Sequence, residues 1–171
     1  DEPFKGLFTQ GMVTHRTYKG NNNEWLGPDE VFPKNSNSRK LVDKLNNEVV
    51  AGKVEKMSKS KKNVVNPSAI IETYGADTAR WFMLSDSPPD RDLEWTESGI
   101  AGSYRFINRV WGLLYEFLSN KFPEKISYDD EILNEKLDST IQSVTSNIEN
   151  FHYNKAVANL HELINAIQSG S

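Results

Sequence analysis

The sequence predicts a mixed, mainly α fold in which short β-strands come first and an antiparallel helical bundle comes last. Three observations support this prediction. The opening third combines β-branched and aromatic residues with Asn-rich turns. Two short segments with helix start and stop signals follow. From Thr96 onward, apolar residues recur every three or four positions, which is the period of an amphipathic helix.

The first predicted elements are β-strands. Gly11–Tyr18 is rich in β-branched and aromatic residues and is predicted to be a strand. Arg39–Val50 alternates apolar and polar residues around Asn46-Asn47. Because Asn tolerates the positive φ values of tight turns, this segment is predicted to be a small β-hairpin.

Two short helices are predicted next. Asn66 is a candidate N-cap with Pro67 at the first helical position, and Gly75 closes that helix. Asp77 is predicted to cap the second helix, which a Pro-Pro pair a few residues later prevents from continuing far.

The last predicted elements are three long amphipathic helices, which short loops would join into an antiparallel bundle. Phe122-Pro123 is predicted to end the first of them. Trp81, Trp95 and Trp111 occupy core-like positions and are interpreted as packing residues. The three apolar stripes are Ile100, Tyr104, Ile107, Trp111, Leu114 and Leu118; Leu133, Leu137, Ile141, Val144, Ile148 and Phe151; and Val157, Leu160, Ile164 and Ile167.

Composition narrows the class of protein. The 171 residues carry a net charge of −4 and a pI of about 5.4, which argues against a domain that coats nucleic acid nonspecifically. No cysteine is present, so disulfides and thiolate metal sites are excluded, and the scattered histidines make no metal-ligand pattern. No apolar run approaches the ~18 residues of a membrane span. Because the chain has neither an initiator Met nor a signal-peptide pattern, we expect an internal piece of a longer cytoplasmic protein.

One short stretch departs from this acidic composition. Five lysines against Glu55 give Lys53–Lys62 a local charge of +4. Such runs are most often solvated faces, but this one lies directly before a capped helix and contains Ser58, Ser60 and an apolar Met57 that could anchor it. Lysine acts as a compact point charge, so a phosphate chain is the ligand that suits this loop best.

A lysine loop of this kind can assist attack at the α-phosphorus of a nucleoside triphosphate, because negative charge then develops on the departing pyrophosphate. Removing one preorganised donor from such a site typically costs about 10²–10³ in rate. A divalent cation, Mg²⁺ above all, would share the phosphate charge.

Residues 56–60 read KMSKS, and the sequence KKNVVNPSAIIETYGADTARWFML follows. This assembly resembles class I aminoacyl-tRNA synthetases of the subgroup that handles Leu, Ile, Val and Met. Within it, EPFKGLFTQGMV, SDSPPDRDLEWTESG and RFINRVW are most similar to leucyl-tRNA synthetases. The resemblance covers nearly the whole chain, although residues 19–53 match only loosely.

The resemblance implies ATP-dependent activation of leucine to leucyl-adenylate, followed by transfer to tRNA(Leu). Lys59 and Lys56 would then be the catalytic residues. The ATP phosphates would be held by the whole motif, in which Met57 anchors the loop: Lys56, Met57, Ser58, Lys59 and Ser60.

The same resemblance implies a domain assignment. Residues 1–53 would be the end of a Rossmann-type catalytic domain with a reduced leucine-specific insertion, 54–95 the KMSKS loop and stem-contact region, and 96–171 a partial anticodon-binding-type helical bundle. Arg105 and Arg109 lie four residues apart and are candidate contacts for tRNA phosphates. The His-Ile-Gly-His half of the active site is absent from the printed sequence, so we expect this piece to be inactive alone. We expect a monomer.

Other interpretations remain open at this point. An isoleucyl, valyl or methionyl enzyme would share the loop. A noncatalytic tRNA- or protein-binding helical module could retain the loop without using it. A structural bundle with a disordered basic linker would explain the charge with no ligand at all.

Overall fold

The computed structural model describes residues 3–35, 38–119 and 130–169. Within these residues a small, mainly antiparallel sheet is followed by five helices. This confirms the mixed, mainly α fold class with short strands. None of the described helices combines the length and the apolar character that a membrane span requires.

The sheet is built around one long antiparallel pairing. The described strands are β1 (Val13–Lys19), β2 (Trp25–Leu26), β3 (Phe32–Pro33), β4 (Leu41–Val42), β5 (Glu48–Lys56) and β6 (Leu93–Glu94). Their order is β2-β1-β5-β4-β3, and β6 lies parallel to the start of β1. Thr14 of β1 stands opposite Lys56 of β5, so the end of β5 lies beside the start of β1.

Both predictions for this region are confirmed. The predicted strand corresponds to β1. The predicted hairpin joins β4 to β5, with Asn46 at a φ of 64°. The Asp43 carboxylate accepts hydrogen bonds from the backbone N–H groups of Leu45 and Asn47. A further hydrogen bond from the Asn47 side chain, together with these, lowers the pKa of Asp43. Local side-chain bonding therefore specifies this turn.

Five helices complete the fold. They are α1 (Pro67–Tyr74), α2 (Ala76–Ser85), α3 (Glu97–Leu118), α4 (Asp130–Glu149) and α5 (Tyr153–Ser169). The predicted cap of α1 is confirmed, because Asn66 Oδ1 accepts from the Ser68 N–H at 3.0 Å. The described part of α3 ends at Leu118, and Phe122-Pro123 lies outside the described residues.

The predicted cap of α2 is wrong. Gly75 is both the C-cap of α1 and the N-cap of α2, with φ 84° and ψ 155°. The glycine turns the chain so tightly that α2 begins at Ala76, and no separate capping residue fits between the helices. Asp77 instead lies exposed in the first turn and pairs with Arg80 at 3.2 Å.

One core cluster joins the sheet to the helices. Its buried members come from α1, α2, α3 and the segment around β6: Ile70, Phe82, Leu93, Trp95 and Ile100. Ile100 is completely buried. Val13 and Met57 pack against this cluster. The chain that leaves β5 is therefore attached to this core cluster through Met57.

The helical assembly differs from the predicted bundle in one respect. α4 and α5 form the expected antiparallel pair, in which the side chains of Asn147 and Asn159 are hydrogen-bonded at 3.0 Å. α3 packs mainly on α2, and α5 also packs on α2. Aromatic stacking explains this packing, because Trp81 of α2 and His161 of α5 both stack on Phe106 of α3. α2 therefore belongs to the same assembly as the long helices.

Ile100 is the one residue of the first predicted apolar stripe that is buried. The other buried residues of α3, Ser103 and Phe106, lie outside that stripe. Trp111 is 72% exposed, so its predicted place in the core is wrong, whereas Trp95 is buried and Trp81 packs on Phe106. The second half of α3 extends beyond the short helix α2 and leaves its apolar side chains at the surface.

Candidate functional site

The lysine-rich sequence forms a compact loop between β5 and α1. We call residues 56–63 the basic loop. Lys59–Lys61 makes one turn of 3₁₀ helix, in which the Lys61 and Lys62 N–H groups donate to the carbonyls of Ser58 and Lys59. Lys62 then adopts the left-handed conformation with a φ of 54°. The segment is therefore folded and is not an extended linker.

Met57 fixes the loop to the rest of the molecule. Its side chain is half-buried against the core cluster. Its backbone N–H donates to the Val13 carbonyl at 3.4 Å, which extends the β1–β5 pairing by one bond. The apolar residue of the motif therefore attaches the basic loop to the core cluster.

The lysines of the basic loop divide into two kinds. Lys61 forms an ion pair with Glu55, and Lys62 lies 3.4 Å from the Glu30 carboxylate. Lys56 and Lys59 are exposed, and in the part of the chain that the structure describes neither has an ion-pair partner. Two cations are thus neutralised within the fold, and two remain available to a ligand.

The environment of Glu30 favours the charged carboxylate that pairs with Lys62. The Gly27 N–H donates to its carboxylate at 2.8 Å. That hydrogen bond, with the positive charge of Lys62, lowers the pKa of Glu30. The pair is exposed, so its contribution to stability is at most about 1 kcal/mol.

The two motif serines face each other. The hydroxyl oxygens of Ser58 and Ser60 are hydrogen-bonded at 2.7 Å. Ser58 is half-buried and Ser60 is exposed. This hydrogen bond links the two residues on either side of Lys59 and therefore restricts the backbone conformation of this lysine.

Asn63 is the important residue that the sequence reasoning missed. Its side chain is completely buried behind the loop. Its Oδ1 accepts from the Ser58 N–H at 2.8 Å, and its Nδ2 donates to the His15 carbonyl at 3.0 Å. An Asn inside a lysine run reads as a surface residue. No local pattern marks Asn63, because the carbonyl to which it donates belongs to His15, 48 residues earlier in the chain.

The two candidate tRNA contacts lie on α3, away from the basic loop in sequence. Arg105 is exposed. Arg109 is half-buried, with its guanidinium carbon 5.3 Å from the centre of the Phe106 ring. Burial, with the nearby charge of Arg109, lowers the pKa of His161. The two arginines therefore differ, one facing solvent and the other built into a helix junction.

No cluster of three His, Cys, Asp or Glu side chains with the arrangement of a metal site occurs within residues 3–35, 38–119 and 130–169. Two carboxylates beside the loop, Glu55 and Glu30, are paired with Lys61 and Lys62.

The comparison with protein families defines the class. Residues 44–96 match the family described as tRNA synthetases class I (I, L, M and V). This range contains β5, the basic loop, α1 and α2, so the family match and the site geometry fall on the same part of the chain.

Comparison with individual proteins narrows the class. The chain is 51% identical over 170 residues to a leucine–tRNA ligase of Rhizorhabdus wittichii, covering 99% of this chain and 19% of that protein. It is 47% identical over 167 residues to a leucine–tRNA ligase of Zymomonas mobilis, covering 98% and 19%.

A solved structure agrees with these relatives. The crystal structure of the ternary complex of Agrobacterium radiobacter K84 agnB2 LeuRS-tRNA-LeuAMS matches with a TM-score of 0.60 and 26% identity, over 68% of this chain and 16% of that one. The chain therefore belongs to the leucyl-tRNA synthetases, within the class I aminoacyl-tRNA synthetase family. It spans about a fifth of the length of the curated relatives that it matches.

Proposed function

We propose that this chain supplies the ATP-phosphate-binding loop of a leucine–tRNA ligase. The whole enzyme, a cytoplasmic monomer in this proposal, activates leucine with ATP and transfers it to tRNA(Leu). Residues 1–53 complete its catalytic domain, 54–95 provide the loop and stem, and 96–171 begin its tRNA-binding helices. The proposal is supported by the family match and by the identity of about 50% to leucine–tRNA ligases.

One observation carries the mechanism. Lys56 and Lys59 are exposed without an ion-pair partner in the described part of the chain, whereas their neighbours Lys61 and Lys62 are paired. In this proposal both free ammonium groups contact the β- and γ-phosphates of ATP. Their attraction strengthens as negative charge builds on the departing pyrophosphate, so they lower the barrier more than they stabilise bound ATP.

The other motif residues keep these lysines in place. Met57 holds the loop on the core, and the bond between Ser58 and Ser60 restrains the turn around Lys59. Mg²⁺ would neutralise part of the phosphate charge. In this proposal the ATP phosphates and water hold it, since no group of three His, Cys, Asp or Glu side chains suited to a metal ion occurs among the described residues.

The activity measurement that tests the proposal is leucine-dependent exchange of pyrophosphate into ATP by the full-length enzyme. Lys59→Ala should lower kcat by about 10²–10³. Lys53→Ala is the matched control, because Lys53 is an exposed lysine of β5, the strand that leads into the basic loop, and lies outside the motif. We expect this control to keep a near-normal rate. Equal rates for the wild type and Lys59→Ala would refute the assignment.

We also propose that Arg105 contacts a tRNA phosphate and that Arg109 assists from its half-buried position. The support is the exposure of Arg105 on α3. Arg105→Ala in the full-length enzyme should weaken tRNA(Leu) binding and reduce the slope of log affinity against log salt by about 1. Arg39→Ala, which removes an exposed arginine of the strand region, provides the control. An unchanged salt slope for Arg105→Ala would exclude the contact.

A further inference from the structure

A single buried side chain connects the basic loop to the sheet. Asn63 is completely buried, and its Oδ1 accepts from the Ser58 N–H at 2.8 Å. Its Nδ2 donates to the His15 carbonyl at 3.0 Å and lies 3.3 and 3.4 Å from the carbonyls of Glu55 and Lys56. One amide group thus joins the start of β1, the end of β5 and the middle of the loop.

These bonds reach the backbone on both sides of the motif methionine. The Lys56 carbonyl faces the Asn63 amide nitrogen, and the Ser58 N–H faces its oxygen. Lys59 follows Ser58 directly and begins the 3₁₀ turn. The positions from which both free lysines project are therefore set, directly or one residue away, by the same side chain.

Burial makes this arrangement specific. A buried amide that loses its partners leaves polar groups unsatisfied away from water, which is strongly unfavourable. Asn63 cannot turn towards solvent without leaving the Ser58 N–H and the His15 carbonyl unpaired. The loop therefore has one strongly favoured backbone position relative to the sheet, and a surface asparagine would not impose one.

We propose that Asn63 is a positioning residue for the ATP-phosphate site. It places the backbone of Lys56 and Ser58 so that the ammonium groups of Lys56 and Lys59 reach one phosphate chain. This inference rests on the proposed function, since it assigns to Asn63 the alignment of the two lysines named there. Asn63 itself does not touch ATP in this proposal.

Thr17 of the sheet provides a matched control for a purely structural role of Asn63. The side chain of Thr17 is also almost completely buried, at 1% exposure. Its Oγ1 donates to the Lys53 carbonyl at 2.9 Å, so it too bonds a β1 residue to β5. This bond lies away from the basic loop. Thr17→Val therefore removes a comparable buried hydrogen bond without touching the backbone of the two free lysines.

The first experiment compares Asn63→Ala and Thr17→Val in the full-length enzyme. Both should lower the melting temperature. Only Asn63→Ala should lower kcat for pyrophosphate exchange, by about 10²-fold, because small displacements of catalytic groups have effects of this size. KM for leucine should stay near the wild-type value. A wild-type kcat for Asn63→Ala, or an equal loss in both variants, would overturn the proposal.

Asn63→Asp provides a second test that keeps the side-chain volume. A neutral aspartic acid has one O–H donor and one carbonyl acceptor, whereas the ionised form is acceptor-only and would face three carbonyl oxygens. Burial raises the pKa of a carboxyl group. The exchange rate of Asn63→Asp relative to wild type should therefore rise as the pH is lowered from about 8 to about 6. A ratio that does not change with pH would contradict the positioning role.

The ratio also removes other titrations near the site. His15 and Glu55 adjoin Asn63, and they are present in both proteins. The Lys59→Ala measurement separates this inference from the proposed function. A full rate in Lys59→Ala overturns the proposed function itself. A large loss in Lys59→Ala together with a normal kcat in Asn63→Ala overturns the positioning role alone.

Discussion

The environment of each lysine decides what it can do in the basic loop. All four lysines of the loop have the same chemistry, but Lys61 and Lys62 lie beside Glu55 and Glu30. An ion pair of this kind contributes little to stability, but it makes the lysine less available to bind a ligand. The remaining lysines, Lys56 and Lys59, are the ones that bind a phosphate chain under the proposed function. Function at this scale depends on where the carboxylates lie.

His161 allows a residue-scale prediction about pH. Its ring stacks on Phe106 with 3.6 Å between ring centres, and burial followed by the Arg109 charge lowers its pKa below the ordinary 6.5. The folded state therefore prefers the neutral ring. Its contribution to stability is present above pH 6.5 and is lost as the pH falls through the lowered folded-state pKa. We expect the melting temperature of the chain to fall on acidification over this window.

Two variants isolate this effect from the titration of carboxylates. His161→Phe keeps an aromatic ring but cannot bind a proton, so its acid-dependent loss of melting temperature should be smaller than that of the wild type. Arg109→Gln removes the neighbouring charge and should also reduce the loss. Melting curves measured between about pH 7.5 and pH 5 would check both. Identical pH dependence in the wild type and His161→Phe would show that the histidine does not contribute.

At the scale of elements, a signal that acts within one helix or turn predicts the structure correctly, whereas a residue shared by two helices does not. Asn66 accepts the hydrogen bond expected of an N-cap, and Asn46 adopts the positive φ of a tight turn. The prediction that Asp77 caps α2 is wrong because Gly75 ends α1 and also caps the start of α2. Its backbone conformation is one that only glycine adopts readily. A capping prediction examines one helix at a time, so it cannot foresee a residue that terminates one helix and starts the next.

Helix α3 shows a second limit of the sequence. Its period correctly predicted a long amphipathic helix, but not which residues of that helix would be covered. Ile100 is fully buried, whereas Trp111 is 72% exposed. Coverage depends on the length of the neighbouring helix α2, and on the aromatic stack that draws α5 towards Phe106. A stripe alone specifies a direction and not a partner.

For the molecule as a whole, the sheet and the core cluster together support the site. The basic loop begins at the end of β5, which pairs with the start of β1, and Met57 packs against the core cluster. The motif residues are predicted as a phosphate site from sequence alone because their pattern is local, and this stays a prediction. The buried position of Asn63 could not be predicted, since its partners include His15, which lies 48 residues away in the chain. Long-range backbone contacts of this kind leave no periodic signal.

The division of labour among the lysines is the central claim, and pyrophosphate exchange by two double variants of the full-length enzyme tests it most directly. Both variants remove two positive charges from the same loop. Lys56→Ala with Lys59→Ala should lower kcat by at least about 10² and leave the melting temperature nearly unchanged. Lys61→Ala with Lys62→Ala should lower the melting temperature slightly and cost less than about tenfold in kcat. An equal loss of kcat in both double variants would contradict the account.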